Sequence, residues 1–571
     1  TDVKAIKEIA RRYALQNAIL FDGVCQLKAV MGKVIARFHD EKVHPKEIIP
    51  LVNDVVSEVN SLPLEEQRAE LQEIAPELLE KKKQERDYSL PDIPTAVMGE
   101  VITRFPPEPN GYLHIGHAKA AIVDFEYARK YEGKFILRFD DTNPLKDKIE
   151  FYDAQKNDLT WLGISWDESY HTSDNLPKHY KLAEQLILQG DAYVCTCSSD
   201  RIKEGRRLKT ACPCQKRSIE EQMASWVQMH ERTLAAVLRL QADMTSVNTA
   251  MRDPTLFRII TDAHPLQEDR FHVWPTYDFA GAVEDSLSGV THPFRTKEYE
   301  LRDEVYFYLL DKLRLRKPCL MEFARLSIEG MPVSKRLILP LVTEGKVSGF
   351  DDVRLPTLQG LRRRGIVPEA LKSFVLQQGI SKVESTVPFS LVESENRKII
   401  DPITKRFFFV PDPVVLQVNN APMRTVSILF HPRNQTLGER TINTTGTFYI
   451  SKTDVDLLHV SDVFRLKDLF NVSVETIQDK RILGSYVGDD LVTDTLKIQW
   501  VTEDYIPLSV YIPDTLFKND EFNKKSLREV NGYGESAIQK LSTGDQVQFE
   551  RFGFVRIERD NDQLLAFFSH R

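Results

Sequence analysis

Apolar positions in the first part of the chain recur every three or four residues. Ile6, Ile9, Ala10, Tyr13 and Ala14 fall on one face, and Leu71, Ile74, Leu78 and Leu79 repeat the pattern, so the spacing predicts helices from Ala5 to about Glu80. The charged run Lys81-Lys82-Lys83-Gln84-Glu85-Arg86-Asp87 and the proline-punctuated Leu90-Pro91-Asp92-Ile93-Pro94 then read as a solvated helix end and a linker. From Gly99 the pattern changes. A β-type run, Val101-Ile102-Thr103-Arg104-Phe105, leads through a Pro/Gly/Asn turn into a helix from Ala118 to Tyr131 and a second strand, Lys134-Phe135-Ile136-Leu137-Arg138-Phe139. That β-α-β order predicts a parallel sheet with its ligand site beyond the carboxyl ends of the strands.

The stretch after Asp191, to about Asp269, interrupts the alternation and reads as an insertion. Helical character returns from Glu298 to Leu313 and from Asp351 to Gln378. After about Arg397 short β-type runs take over, among them Phe407–Val410, Thr425–Phe430, Leu496–Val501 and Val547–Ile557, separated by Asp/Asn/Gly/Pro turns; this spacing predicts barrels or a sandwich.

A length of 571 residues suggests about three or four domains at roughly 150 residues each. Lys and Arg total 76 against 84 Asp and Glu, a net charge of −8, with 42% hydrophobic and 28% charged residues; that balance excludes a histone-like polycation and a disordered acidic chain. A nucleic-acid partner stays open, because phosphates are bound by a local basic face. No apolar run reaches about 18 residues and the first residues lack the apolar core of a secretory signal, so a cytoplasmic protein without membrane contact is expected.

The most informative stretch runs from Arg104 through Pro107-Glu108-Pro109-Asn110-Gly111-Tyr112-Leu113-His114-Ile115-Gly116-His117. It joins a strand to a helix, where free backbone N–H groups and the helix dipole favour a phosphate. His114 and His117 fall on one face of the first turn, and Gly116 lets a flat ring or a phosphate approach the backbone. Paired histidines at this spacing also serve as metal ligands. Far downstream lies Pro332-Val333-Ser334-Lys335-Arg336, and between the two come Arg138-Phe139-Asp140-Asp141-Thr142-Asn143-Pro144, Met251-Arg252-Asp253-Pro254 and Trp274-Pro275-Thr276-Tyr277-Asp278-Phe279.

In this order these segments resemble the class I aminoacyl-tRNA synthetases of the glutamyl and glutaminyl branch, over about residues 98 to 395 and more weakly beyond. The first matches the HIGH motif and the second the KMSKS loop, with Pro332 and Val333 in place of its first lysine and its methionine. The resemblance implies a multidomain α/β fold: a helical N-terminal domain (1–95), a Rossmann-like catalytic domain (96–194 and 271–337) and an acceptor-binding insertion (195–270). It further implies a helical stem-contact region (338–396) and a C-terminal β-barrel anticodon-binding domain (397–571). It also implies ATP with Mg²⁺, a glutamyl-adenylate and transfer to the 3′ end of tRNA. By the same resemblance, ATP is bound by Glu108, Pro109, Asn110, His114, Gly116, His117, Arg325, Leu326, Val333, Ser334 and Lys335. His114, His117 and Lys335 are the catalytic set among them.

The choice between glutamate and glutamine turns on one amide. A carboxylate side chain needs a cation, whereas an amide would leave a buried arginine unpaired. Arg295 stands where the glutaminyl pattern carries a small neutral residue, and Leu320 where it carries glutamine; both favour L-glutamate. Arg104 and Asp140 would grip the α-carboxylate and α-ammonium, and Tyr277 would line the pocket. The β-rich C-terminus is similar to archaeal-type glutamyl-tRNA synthetases, with tRNA(Glu) as partner, tRNA(Gln) and a tRNA-dependent amidotransferase left open, and a monomer expected. A glutaminyl enzyme, a silent synthetase-like tRNA-binding protein and an enzyme that glutamylates a modified tRNA base are the alternatives. Arg295 speaks against the first, the retained His114, His117 and Lys335 against the second, and the long C-terminal region against the third.

Cys195, Cys197, Cys212 and Cys214 form C-x-C…C-x-C, a spacing that suits a structural Zn²⁺ better than free thiols or disulfides in a reducing compartment. Arg201, Lys203, Arg206, Arg207, Lys209, Lys216 and Arg217 surround it and are read as phosphate contacts. Cys25 and Cys319 read as packed residues.

Overall fold

The computed structural model describes residues 3–20, 23–37, 45–75, 78, 90–478, 481–492, 495–561 and 563–571. The chain divides into two compact units, Thr1–Ser89 and Leu90–Arg571. In the first, the predicted helical run is four helices: α1 (Val3–Leu20), α2 (Leu27–Arg37), α3 (Pro45–Asn60) and α4 (Leu64–Ile74). Ile6, Ala10, Ala14 and Leu71 are buried as the periodicity requires. Gly23, at φ +94°, and Pro63 supply two of the breaks. The buried Gln67 amide on α4 donates to the carbonyls of Gly23 (2.9 Å), Val59 (2.9 Å) and Leu62 (3.0 Å), satisfying turn groups that the helices leave over. Leu79, Glu80 and the lysine run lie outside the described residues.

The second unit starts with the expected parallel sheet, β1 (Ile102–Phe105), β2 (Lys134–Phe139) and β3 (Glu168–His171), in the order β1-β2-β3. Helix α5 (Ile115–Lys130) connects the first two strands, and α6 (Ile149–Trp161) follows the second. Helix α5 starts at Ile115 rather than Ala118, because His114 caps it. After α7 (Leu176–Leu188) the insertion is an antiparallel sheet of β4 (Ala192–Cys195), β5 (Val237–Leu240), β6 (Thr255–Ile259) and β7 (Val273–Pro275), with α8 (Ser199–Leu208) and α9 (Ile219–His230) after its first strand. Helix α10 (Tyr277–Leu287) returns the chain to the parallel core, where β8 (Phe294–Thr296) pairs with β9 (Met321–Phe323).

Two predicted helices are corrected. The Glu298–Leu313 stretch is a 3₁₀ segment, Lys297–Arg302, followed by α11 (Asp303–Leu313). The Asp351–Gln378 stretch begins only at Thr357 and holds two helices: after β10 (Leu326–Ile328) and α12 (Lys335–Thr343) come α13 (Leu358–Arg364) and α14 (Pro368–Gln378). Thr357 caps α13, Gly365 ends it in the left-handed conformation, and Pro368 opens α14. Strand β11 (Ser385–Val387) and helix α15 (Ser390–Ile400) lead into the β-rich region.

There the barrels-or-sandwich expectation resolves into two barrel-like sheets of seven and six strands. The seven-stranded sheet includes Tyr505–Pro513, Leu527–Glu535 and Gln563–His570; the six-stranded sheet is centred on Arg481–Gly488 and Asn471–Gln478. Among the described residues Thr425–Phe430 joins neither sheet: its strand, Arg424–Leu429, pairs with Glu439–Thr444 in a two-stranded sheet of its own. Among the described residues no helix is long and apolar enough to cross a membrane.

Gly133 sets how closely β1 and β2 approach, since an added Cβ would stand 1.9 Å from the Val101 carbonyl oxygen. Gly133→Ala is expected to destabilise the protein by about 1–3 kcal/mol, because the obstructing atom is backbone. A denaturant-unfolding midpoint measured against the parent chain checks this, and an unchanged midpoint contradicts it.

Candidate functional site

The loop between β1 and α5 ends at His114, which occupies the N-cap of α5 in extended conformation. The Nδ1 atom of His114 accepts the Gly116 N–H (3.1 Å), and Nδ1 of His117 accepts the His114 N–H (3.2 Å), so two histidines build the capping box. Their rings stack with centroids 3.8 Å apart. With both Nδ1 atoms accepting, the neutral rings carry their protons on Nε2, as donors. Both are held neutral. Burial, aided by the Arg325 charge, lowers the His117 pKa to about 4, and burial with His117 and Arg325 lowers that of His114 well below its ordinary value. Gly116 leaves the space: a Cβ there would meet the His114 ring at 3.0 Å and Val333 at 3.3 Å.

The second motif closes onto the first. Ser334 is the N-cap of α12 and Lys335 its first residue. Lys335 Nζ donates to the Asn110 carbonyl, joining residues 225 apart in sequence. Burial, with Lys146 and Lys148 nearby, lowers the pKa of that ammonium. Arg325 donates to the Val333 carbonyl (3.0 Å) and to Glu298 (2.9 Å), tying the loop to the 3₁₀ segment. The buried Gln155 on α6 donates to the Glu108 (2.9 Å) and Gly111 (2.8 Å) carbonyls and fixes the loop from below.

The result is a cavity of about 380 Å³ lined by Glu108, Asn110, His114, Gly116, His117, Arg325, Leu326, Val333, Ser334 and Lys335. Of the predicted nucleotide residues only Pro109 is absent from the lining; it is buried, and its carbonyl accepts the Lys148 N–H. Gln155, Glu298 and Tyr299 also line the cavity and were missed, because each stands outside the motif that the sequence displays. A second cavity of about 430 Å³ shares Glu108 and Tyr299 with the first and adds Arg206, Tyr277, Asp278 and Arg302.

Tyr277 lines the second cavity, whereas Arg104, Asp140 and Arg295 line neither and are buried. Asp285 on α10 explains why. Its carboxylate accepts from Arg104 Nε (3.0 Å) and Nη2 (3.1 Å), from Arg138 Nη1 (2.7 Å) and from the Tyr306 hydroxyl (3.0 Å). Arg138 in turn forks onto Asp140 (2.7 and 3.2 Å), which also accepts from Thr172 (2.9 Å). Burial alone would raise the Asp285 pKa, but the two guanidiniums overturn that effect and hold it below its ordinary value. Arg295 pairs with Asp303, packs over the Tyr306 ring at 5.4 Å, and keeps its buried Nε without a hydrogen-bond partner. Burial raises the Tyr277 pKa to about 12 against the opposing charges of Arg104 and Arg295, which therefore stand near its hydroxyl.

In the insertion the four cysteine Sγ atoms lie within 4.8 Å of one another, with Cys195–Cys212, Cys197–Cys212 and Cys197–Cys214 at 3.6, 3.7 and 3.9 Å. Four sulfurs at ~2.3 Å from one tetrahedral ion stand about 3.8 Å apart, so the donor set fits a metal. Of the surrounding charges, Arg207 is taken by Glu204 (2.6 Å), Lys203 stands 3.9 Å from Asp200, and Arg206 donates to the Thr249 carbonyl (2.8 Å). The remote cysteines are packed as expected, Cys25 buried and Cys319 half-buried.

Comparison with known proteins gives three family matches. Residues 100–402 match the catalytic domain of the class I tRNA synthetases (E and Q), and residues 404–487 and 497–558 match two anticodon-binding domain models of the same class. The chain is 43% identical over 570 residues to a glutamate–tRNA ligase of Nitrosopumilus maritimus (strain SCM1), covering 99% of each. It is 40% identical over 581 residues to one of Pyrococcus abyssi (strain GE5 / Orsay), covering 99% of this chain and 100% of that protein. A solved glutamate tRNA ligase of Elizabethkingia meningosepticum is 20% identical, with a TM-score of 0.39 over 53% of this chain and 70% of that one.

Removing the shared carboxylate tests the buried network. Asp285→Asn leaves two buried guanidiniums short of their counter-charge and is expected to destabilise the fold by about 3–5 kcal/mol. Chemical denaturation of the variant checks the value; a loss under about 1 kcal/mol contradicts the network's role.

Proposed function

Because the chain belongs to the class I tRNA synthetases (E and Q), we infer that its two linked cavities join an amino acid to tRNA through an adenylate. The amino acid is L-glutamate, and the enzyme is a glutamate–tRNA ligase. The observation that carries this reading is the match to glutamate–tRNA ligases along the whole length of both chains. An α-carboxylate attacks the α-phosphate of ATP and diphosphate leaves; the terminal ribose hydroxyl of tRNA then attacks the adenylate carbonyl and AMP leaves. Mg²⁺ accompanies ATP, whose phosphates supply most of its ligands.

His114 and His117 act as neutral Nε2–H donors to the phosphates, aimed in advance by the capping box, so no reorientation accompanies the build-up of charge. Lys335 gives up its bond to Asn110 and neutralises the departing diphosphate, with Ser334 beside it. Arg325 holds the loop at Val333, while Glu108, Asn110, Gly116 and Leu326 shape the nucleotide cavity. Tyr277 forms the amino-acid wall. Arg104 and Asp140, already paired, present their remaining edges to the α-carboxylate and α-ammonium. Arg295 uses its unpartnered Nε for the side-chain carboxylate. The division into 1–95, 96–194, 195–270, 271–337, 338–396 and 397–571 belongs to the same reading, as does a monomer.

Aminoacylation with labelled glutamate and, separately, glutamine tests this with transcripts of both tRNAs. Glutamate transfer to tRNA(Glu) is expected. Arg295→Ala is expected to raise KM for glutamate by about tenfold or more, in line with the roughly 1.5–3 kcal/mol of a charged hydrogen bond. Glutamine transfer by the parent enzyme overturns the reading. Glutamate placed on tRNA(Gln) as well requires a downstream amidotransferase.

Cys195, Cys197, Cys212 and Cys214 hold Zn²⁺ as a closed structural site with no open position for chemistry. Elemental analysis of the purified protein is expected to give one zinc per chain, lost in Cys212→Ser with a lower melting temperature. A zinc-free parent protein contradicts the assignment.

A further inference from the structure

One cavity beside the C-terminal sheet lies away from the reaction site. It encloses about 500 Å³ between α15, through Ser390, Ser394 and Arg397, and the seven-stranded sheet, through Arg528, Arg551, Phe552, Phe568 and Arg571. A neighbouring cavity of about 320 Å³ shares Arg528, Arg551, Phe552 and Arg571, so the two form one elongated trough.

Its charges are unbalanced. Of the four lining carboxylates, Glu393 is taken by Arg364 at 2.6 Å, Glu550 by Lys467 at 2.8 Å and Asp454 by the fork of Arg551 at 3.0 and 2.7 Å, which leaves the exposed Asp412 of the smaller cavity as the one without an ion pair among the described residues. Among the described residues the side chains of Arg397, Arg528 and Arg571 make no hydrogen bond or ion pair, and all three are exposed. The neighbouring His570 adds no charge: burial lowers its pKa to about 4, and its Nε2 faces the Asn396 amide at 2.9 Å. Three free guanidiniums therefore converge from a helix, a strand and the residue after the last strand over a half-buried aromatic floor, where Phe552 and Phe568 meet edge to face at 5.8 Å.

A small anion would need a closed, preorganised set of donors, and the trough is instead open and long. Separated cations above aromatic faces fit a chain of phosphates, with riboses or bases resting on the rings. We propose that this trough is a backbone-binding groove for the phosphates of tRNA, in which Arg397, Arg528 and Arg571 each take a phosphate without reading sequence. The groove rests on the tRNA reading above, and places part of the affinity at the junction of α15 with the seven-stranded sheet.

The test is the full-length triple variant Arg397→Gln, Arg528→Gln, Arg571→Gln, assayed by aminoacylation beside the parent between 50 and 200 mM salt. Its KM for tRNA is expected to rise about tenfold or more. The slope of log KM against log salt should fall by about 2, the value for three lost phosphate contacts at ~0.7 each. KM for ATP and glutamate, and kcat at saturating tRNA, should stay at parent values. The corresponding triple Arg→Lys variant, which keeps the charges, should remain within about threefold of the parent. An unchanged KM for tRNA, or a raised KM with an unchanged salt slope, overturns the groove. A parent enzyme that charges no tRNA would instead defeat the functional reading itself, so the two failures are distinguishable.

Discussion

Asp285 carries the constraint on which the rest of the site depends. Two guanidiniums, Arg104 from β1 and Arg138 from β2, are buried side by side at the carboxyl end of the parallel sheet, and like charges that close are tolerated only with a shared counter-ion. Asp285 supplies it from α10, a helix that follows the whole insertion in sequence. The antiparallel excursion through β4 to β7 must therefore return the chain to one position for the first strands to be stable. Asp140 completes the chain of alternating charges and is oriented by it. A substrate with two carboxylates and an ammonium meets groups already paired and aligned, which reduces reorganisation on binding.

The nucleotide side follows a different physical rule. There the Arg325–Glu298 pair ties only the downstream loop, while the histidines are held by backbone N–H groups at the start of α5 and kept neutral by burial. Lys335 approaches from a separate segment and rests on a carbonyl of the same loop. One side of the site is set by a charge network and the other by a helix cap, with Lys335 reaching in from its separate segment. That arrangement suits a reaction whose first product, diphosphate, must leave while the adenylate stays.

Legibility from sequence divides along the same line. The stretch from Glu108 to His117 is contiguous and its strand-turn-helix setting is visible in the apolar pattern, while the residues expected there to bind a nucleotide follow from the family resemblance; of those, all but Pro109 line the cavity. The four cysteines were readable as a cluster from their local spacing, whereas Tyr277 was named through the family resemblance. Asp285 was not readable: it is 181 residues from Arg104, and a carboxylate in a helix otherwise rich in apolar residues reads as a polar-face position until the partner strand is known. The available signal was the pair Glu284-Asp285 within a mainly apolar stretch, which demands buried partners. Arg104, Asp140 and Arg295 were named as ligand contacts, yet each is first of all half of an ion pair, a property that only the tertiary arrangement discloses. Of the two helices misjudged, Asp351–Gln378 failed at the capping residues Thr357 and Gly365, and Glu298–Leu313 at a 3₁₀ segment, Lys297–Arg302, both of which local periodicity passes over.

The most direct measurement is an experimental structure with a non-hydrolysable glutamyl-adenylate analogue. The account predicts that Arg104 and Arg138 remain on Asp285, that the analogue's phosphate lies against Nε2 of His114 and His117, and that its side-chain carboxylate meets Arg295. An analogue that opens the Arg104–Asp285 pair, or one whose side chain lies away from Arg295, would contradict the claim that the site is set by a charge network complete before substrate arrives.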